Sequence, residues 1–116
     1  MSFLSKLFGG ASAAGDARTI GFDDLRAALA AGAIDLIDVR EPGEYRSGHV
    51  PGSMNMPLSR FEPAQLPRDR KIVLICLSGG RSGRALAQAR QAGFGDVVHF
   101  PGGVSLWRSL GGPMRA

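Results

Sequence analysis

KIVLICLSGGRS, residues 71–82, passes from an apolar run through a glycine pair to an arginine. Lys71 to Cys76 is the most apolar segment of the chain and reads as the central strand of a sheet. Gly79 and Gly80 supply a tight loop, because glycine adopts backbone angles that other residues resist. A helix is expected from Arg81 to Ala92, ended by Gly93. Cys76 is the only cysteine in the chain. It stands at a strand end, before a glycine loop and a helix start.

That setting favours an anion on sulfur. A free thiol titrates near ~8.5. A curled loop turns successive N–H groups inward as an anion nest. The helix start and Arg81 add positive potential. Burial acts in the opposite direction. The thiol is therefore expected below its free value. Cys76 is the candidate nucleophile, and Leu77, Ser78, Gly79, Gly80, Arg81 and Ser82 are the candidate binding loop.

Working outward, short apolar runs alternate with helical patterns. FDDLRAALAAG, residues 22–32, has Leu25, Ala28 and Leu29 at helical spacing, with Asp23 and Asp24 in the first turn and Gly32 at the close. IDLIDV, residues 34–39, is a short strand. EPGEYRSG, residues 41–48, is a turn or one short helix. A brief strand holds Met54 and Met56, residues 58–65 read as a short helix ended by Pro67, and DVVHF, residues 96–100, reads as another strand. A turn and short helix close the chain. Alternation of this kind predicts an α/β fold with a largely parallel sheet and helices on both faces. Ligands in such sheets bind beyond the carboxyl ends of the strands, where Cys76 lies.

The 116 residues suit one domain, with no internal repeat. We divide them into a flexible or weakly amphipathic tail, 1–16, and a domain, 17–116. In the tail Phe3, Leu4, Leu7 and Phe8 could share one helical face. A hydrophobic content of 44% with 21% charged residues is that of a soluble globular protein. No run is long enough to span a membrane, and Lys6 interrupts the only apolar start. A cytoplasmic location without membrane contact is expected. One cysteine excludes an internal disulfide and an internal resolving thiol, so sulfur held on Cys76 must leave to another molecule. Two histidines, His49 and His99, do not make a zinc site, and no metal or organic cofactor is expected.

Net charge is +4, with arginine supplying 12 of 14 basic residues. Arg81, Arg84 and Arg90 lie near the loop, either as solvated helix faces or as steering charges for a small anion. Nucleic acid is not an expected partner, because aromatic residues do not interleave with the basic ones. Asp38, Arg40, Glu41 and Glu44 surround a strand end on the same side as Cys76. They form an ion-pair and capping set, in which Asp38 and Arg40 could brace the loop. His49 reads as a structural turn histidine and Trp107 as core packing. Gly102 and Gly103 are expected to permit a close backbone approach near the site.

Four blocks together resemble the rhodanese family of sulfurtransferases: LIDVREPGEYRSGHVPGSMNMP (36–57), CLSGGRS (76–82), GFGDVVHFPGG (93–103), and Trp107 with the terminal GGP (111–113). The resemblance covers residues 18 to 113. It implies a five-stranded, largely parallel sheet, with sulfane sulfur carried on Cys76 as a persulfide. It implies a thiosulfate sulfurtransferase, with a small anionic sulfur donor such as thiosulfate and cyanide or a thiol, a protein thiol included, as acceptor. The alternative is a persulfide carrier or interaction module in a sulfur relay. Phosphatase or arsenate-reductase relatives have five residues between cysteine and arginine. Here there are four, LSGG, and the smaller cradle suits one sulfur atom rather than a phosphate tetrahedron.

Overall fold

The computed structural model describes residues 18–116. The expected tail, 1–16, lies outside the described residues. The run Lys71–Ile75 forms strand β3, with Ile72 to Ile75 all buried. It is flanked on both sides, as its unbroken apolar character requires. The other strands are β1 (Ile34–Asp38), β2 (Met54–Asn55) and β4 (Val98–His99), in the order β2-β1-β3-β4. Every pairing is parallel. β1 and β3 run side by side from Ile34 opposite Lys71 to Asp38 opposite Ile75. The two segments that chemistry singled out therefore end together, at one edge of the sheet.

Among the described residues, four α-helices accompany the sheet: α1 (Phe22–Ala30), α2 (Pro42–Arg46), α3 (Gly80–Gln91) and α4 (Gly103–Ser109). Strand alternation sends side chains to two separate cores. One face packs Ile34, Leu36, Val73 and Ile75 against Leu25 and Ala28 of α1 and Val104 and Trp107 of α4. The other packs Ile37, Ile72, Leu74 and Cys76 against Ala85, Leu86 and Ala89 of α3. Helices thus cover both faces, as expected. Trp107 is buried, and its indole N–H donates to the Pro113 carbonyl at 2.8 Å.

Two expectations are corrected. The described residues form a four-stranded sheet rather than five strands. Thr19 adds only a single parallel bridge to His99 at the β4 edge. The helix expected over 58–65 is two separate 3-10 turns, Leu58–Arg60 and Pro63–Gln65. Pro63 disfavours a helical backbone at Glu62, which lies at φ −124°, ψ 100°. The preceding Phe61 turns inward and is buried.

Candidate active site

Cys76 directly follows β3, and the chain turns sharply before α3 begins at Gly80. The turn depends on Gly79, whose φ is 104°. A Cβ there would also overlap the Pro101 carbonyl oxygen. From behind, the first turn of α4 closes on the same loop. Val104 N–H donates to the Cys76 carbonyl at 2.8 Å, and Ser105 N–H to the Leu77 carbonyl at 3.1 Å. Gly103 lies so close to these two carbonyls that a side chain would not fit. Gly103 thus makes the close approach expected of it, whereas Gly102 packs against Leu106 of its own helix.

Inside the turn, Sγ of Cys76 accepts the Gly79 N–H at 3.1 Å and lies 3.6 Å from the Ser82 hydroxyl. Cys76 is only 1% exposed. Burial pushes the thiol up. The Ser82 hydroxyl and the backbone amides of Ser82, Gly79 and Ser78 outweigh it and hold the thiol below its ordinary value. Around this buried sulfur the rim is open, with Leu77, Ser78 and Gly80 exposed.

Arg81 interacts with Cys76 through its charge, as the sequence reading expects, but directs its hydrogen bonds elsewhere. Its guanidinium grips Glu44 of α2 with two bonds, at 2.6 and 3.0 Å. That grip holds Glu44 down at about 2, and in return keeps Arg81 firmly protonated. The downward pull on the thiol comes chiefly from the Ser82 hydroxyl and the loop amides, with the Arg81 charge acting beside them. The Arg81–Glu44 pair fastens the loop to α2.

Asp38 and Arg40 sit at the neighbouring strand end and form a saturated buried pair. Arg40 Nη2 donates to Asp38 Oδ2 at 2.8 Å and Nε to Oδ1 at 3.0 Å; the Arg40 backbone N–H also reaches Oδ1. Nη2 further donates to the Gly48 carbonyl. Asn55 caps the carbonyls of Asp38 and Arg40. Glu41 donates its N–H to Glu44 and accepts the Ser59 hydroxyl. His49 stacks on Tyr45 at 3.9 Å and bonds its carbonyl through Nδ1, away from the thiol.

One neighbour of the loop was not singled out from sequence. Nδ1 of His99 lies 2.8 Å from the Ser82 hydroxyl. The signal was present in the alternation of DVVHF. Val97 belongs to the α3-side core and Val98 to the opposite one, so His99 returns to the face that carries Cys76. Its register beside Leu74 then sets it next to the loop.

Comparison with known proteins agrees with this geometry. Residues 22–110 match the family model for the rhodanese-like domain. An uncharacterized protein of Synechocystis, slr1261, is 43% identical over 83 residues, covering 70% of this chain and 46% of that protein. The chain thus spans less than half the length of that relative. The thiosulfate sulfurtransferase GlpE of Pseudomonas paraeruginosa is 35% identical over 77 residues, covering 65% of this chain and 70% of that protein. The crystal structure of a rhodanese-related protein from Thermoplasma volcanium superposes with a TM-score of 0.77 at 35% identity, covering 84% of this chain and 97% of that one. The chain belongs to the rhodanese-like family.

Proposed function

We propose that this member of the rhodanese-like family is a sulfurtransferase working through a persulfide on Cys76, with thiosulfate or a similar sulfane donor as substrate. The observation that carries the reading is the surrounding of Sγ: one buried sulfur, facing the Gly79 amide and the Ser82 hydroxyl. Such a site stabilises a sulfur anion chiefly by dipoles, with the Arg81 charge nearby.

The thiolate attacks the outer sulfur of the donor. The new Cys76 S–S bond forms as the donor's S–S bond breaks, and sulfite leaves with the bonding pair. The loop amides then face the terminal sulfur of the persulfide. A second nucleophile, cyanide or a thiolate, takes that sulfur and returns Cys76 as thiolate. Cys76 is the nucleophile and Leu77 to Ser82 form the cradle. Asp38 and Arg40 support it from the next strand end.

Loop length favours sulfur over phosphate. Four residues, Leu77 to Gly80, link Cys76 to Arg81. The resulting recess leaves the sulfur nearly covered, so a slim terminal atom fits better than a tetrahedral group. Leu77, 41% exposed on the rim, and the exposed Leu106 of α4 favour a second reading, in which the sulfur passes to a protein thiol. Steady-state assays with thiosulfate and cyanide test the proposal. Ping-pong turnover lost in Cys76→Ser supports the enzyme. Exchange restricted to a protein acceptor supports the carrier. Cys76-dependent hydrolysis of an aryl phosphate without sulfur transfer overturns both.

A further inference from the structure

We propose that His99 is a positioning residue for Cys76, serving as the far end of a proton relay that runs through the Ser82 hydroxyl. It rests on the reading of Cys76 as the reactive sulfur and names what governs its ionisation.

The geometry is a three-atom chain. Sγ of Cys76 lies 3.6 Å from Oγ of Ser82, and that oxygen lies 2.8 Å from Nδ1 of His99. Cys76 and Ser82 are 1% and 0% exposed, so the sulfur has little contact with solvent and the hydroxyl none. His99 is half-buried and lines a cavity of about 580 Å³ beside α3, with Gly83 and Leu86. The chain therefore joins a buried thiol to an accessible ring.

A serine hydroxyl suits the middle place because it donates and accepts at once. With the thiol protonated, S–H donates to Oγ and the hydroxyl donates to Nδ1 at 2.8 Å, the shorter of its two contacts, rather than to the Gly79 carbonyl at 3.3 Å. Two proton hops reverse both bonds. The thiol proton passes to Oγ, and the serine proton passes to Nδ1. Serine ends unchanged, the sulfur is a thiolate accepting from serine, and the imidazole carries one added proton. No other reactant is required, and both end states use the same two contacts.

Several charged groups lie around the pair. Arg81 beside the loop is paired with Glu44, whose carboxyl is held at about 2. Arg18 and Arg90 line the His99 cavity, and an arginine stays protonated throughout. His49 is stacked on Tyr45, away from the relay.

The test reads ionisation rather than turnover. Alkylation of Cys76 by iodoacetamide is followed between about pH 5 and 9, where thiolate and imidazole both titrate. The native profile should show two inflections, as coupled groups do. His99→Asn keeps an acceptor for serine but cannot take the proton. It should leave one inflection at higher pH and slow alkylation at neutral pH at least about threefold. Ser82→Ala should do the same, and adding His99→Asn to it should change nothing more. An unchanged profile in folded His99→Asn, or additive effects in the double variant, would overturn the relay. Should His99→Asn not fold, NMR titration of the His99 ring decides the matter. Its curve should lose one inflection in Cys76→Ser, and identical curves in the two proteins would overturn the relay. Failure of the relay leaves Cys76 able to take sulfur from thiosulfate; failure of the function does not.

Discussion

The adjacent strands β1 and β3 end beside each other and finish in opposite ways. Asp38 and Cys76 are equally buried, at 0% and 1% exposure. The Asp38 carboxylate meets a full cation, Arg40, whose Nη2 also donates to the Gly48 carbonyl. The Cys76 sulfur is held chiefly by amide and hydroxyl dipoles, and the Arg81 charge acts on it without a hydrogen bond. A buried anion matched by a buried cation is complete and has nothing left to react with. An anion matched by dipoles is stabilised yet remains a nucleophile. The first strand end is closed on itself, and the second is the one the proposed sulfur transfer uses.

The largest effect on this contrast should come from Asp38→Ala. Removing one partner of a buried pair leaves Arg40 uncompensated and commonly costs ~3–5 kcal/mol. Urea unfolding should show that loss, while the alkylation profile of Cys76 in the folded protein should stay near native. A loss below about 1 kcal/mol would place the pair among ordinary surface bridges.

Gly79→Ala should do the reverse. A side chain at φ 104°, against the Pro101 carbonyl, strains the loop by ~1–3 kcal/mol. It should also shift the amide that meets the sulfur, so the thiol should rise toward its free value. A native thiol titration in a folded Gly79→Ala protein would show that this amide does not govern the anion.

The smallest effect belongs to the Arg81–Glu44 link between the two ends. Glu44 is depressed to about 2 from an unfolded value near ~4.3, so its contribution is full above about pH 4.3 and is lost as pH falls toward 2. The Glu44 side chain is 36% exposed, so screening keeps the contribution below about 1 kcal/mol. Glu44→Gln should flatten the acid limb of the stability curve and free Arg81 to attract anions. A rise of about two- to threefold in thiosulfate kcat/KM, erased by added salt, is expected. A fall in kcat/KM instead would show that the pair's anchoring outweighs its masking of charge.

Sequence reading reached some of these features and missed others for physical reasons. The buried β3 run, the helices on both faces and the loop at Gly79 are local properties, written in consecutive residues. The break at Glu62 was also local, since Pro63 forbids the helix there, and the longer helical reading passed over it. β2 and β4 are two residues each, too short for periodicity to define. The partner of Arg81 was less legible, because Glu44 lies 37 residues away and meets it only once α2 packs beside the loop. His99 needed both the β3–β4 register and the side-chain alternation of its strand. Asp38 and Arg40 were read as part of an ion-pair set at the right strand end, and they do pair with each other; the depth of their burial was not legible in composition.

The central claim is that Cys76, held among dipoles, takes up a sulfur atom, and intact mass after exposure to thiosulfate tests it most directly. The account predicts a gain of about 32 Da, one persulfide sulfur, that a thiol reductant removes. It predicts no gain in Cys76→Ser. A native protein that gains nothing, or a Cys76→Ser protein that gains the same mass, would contradict it.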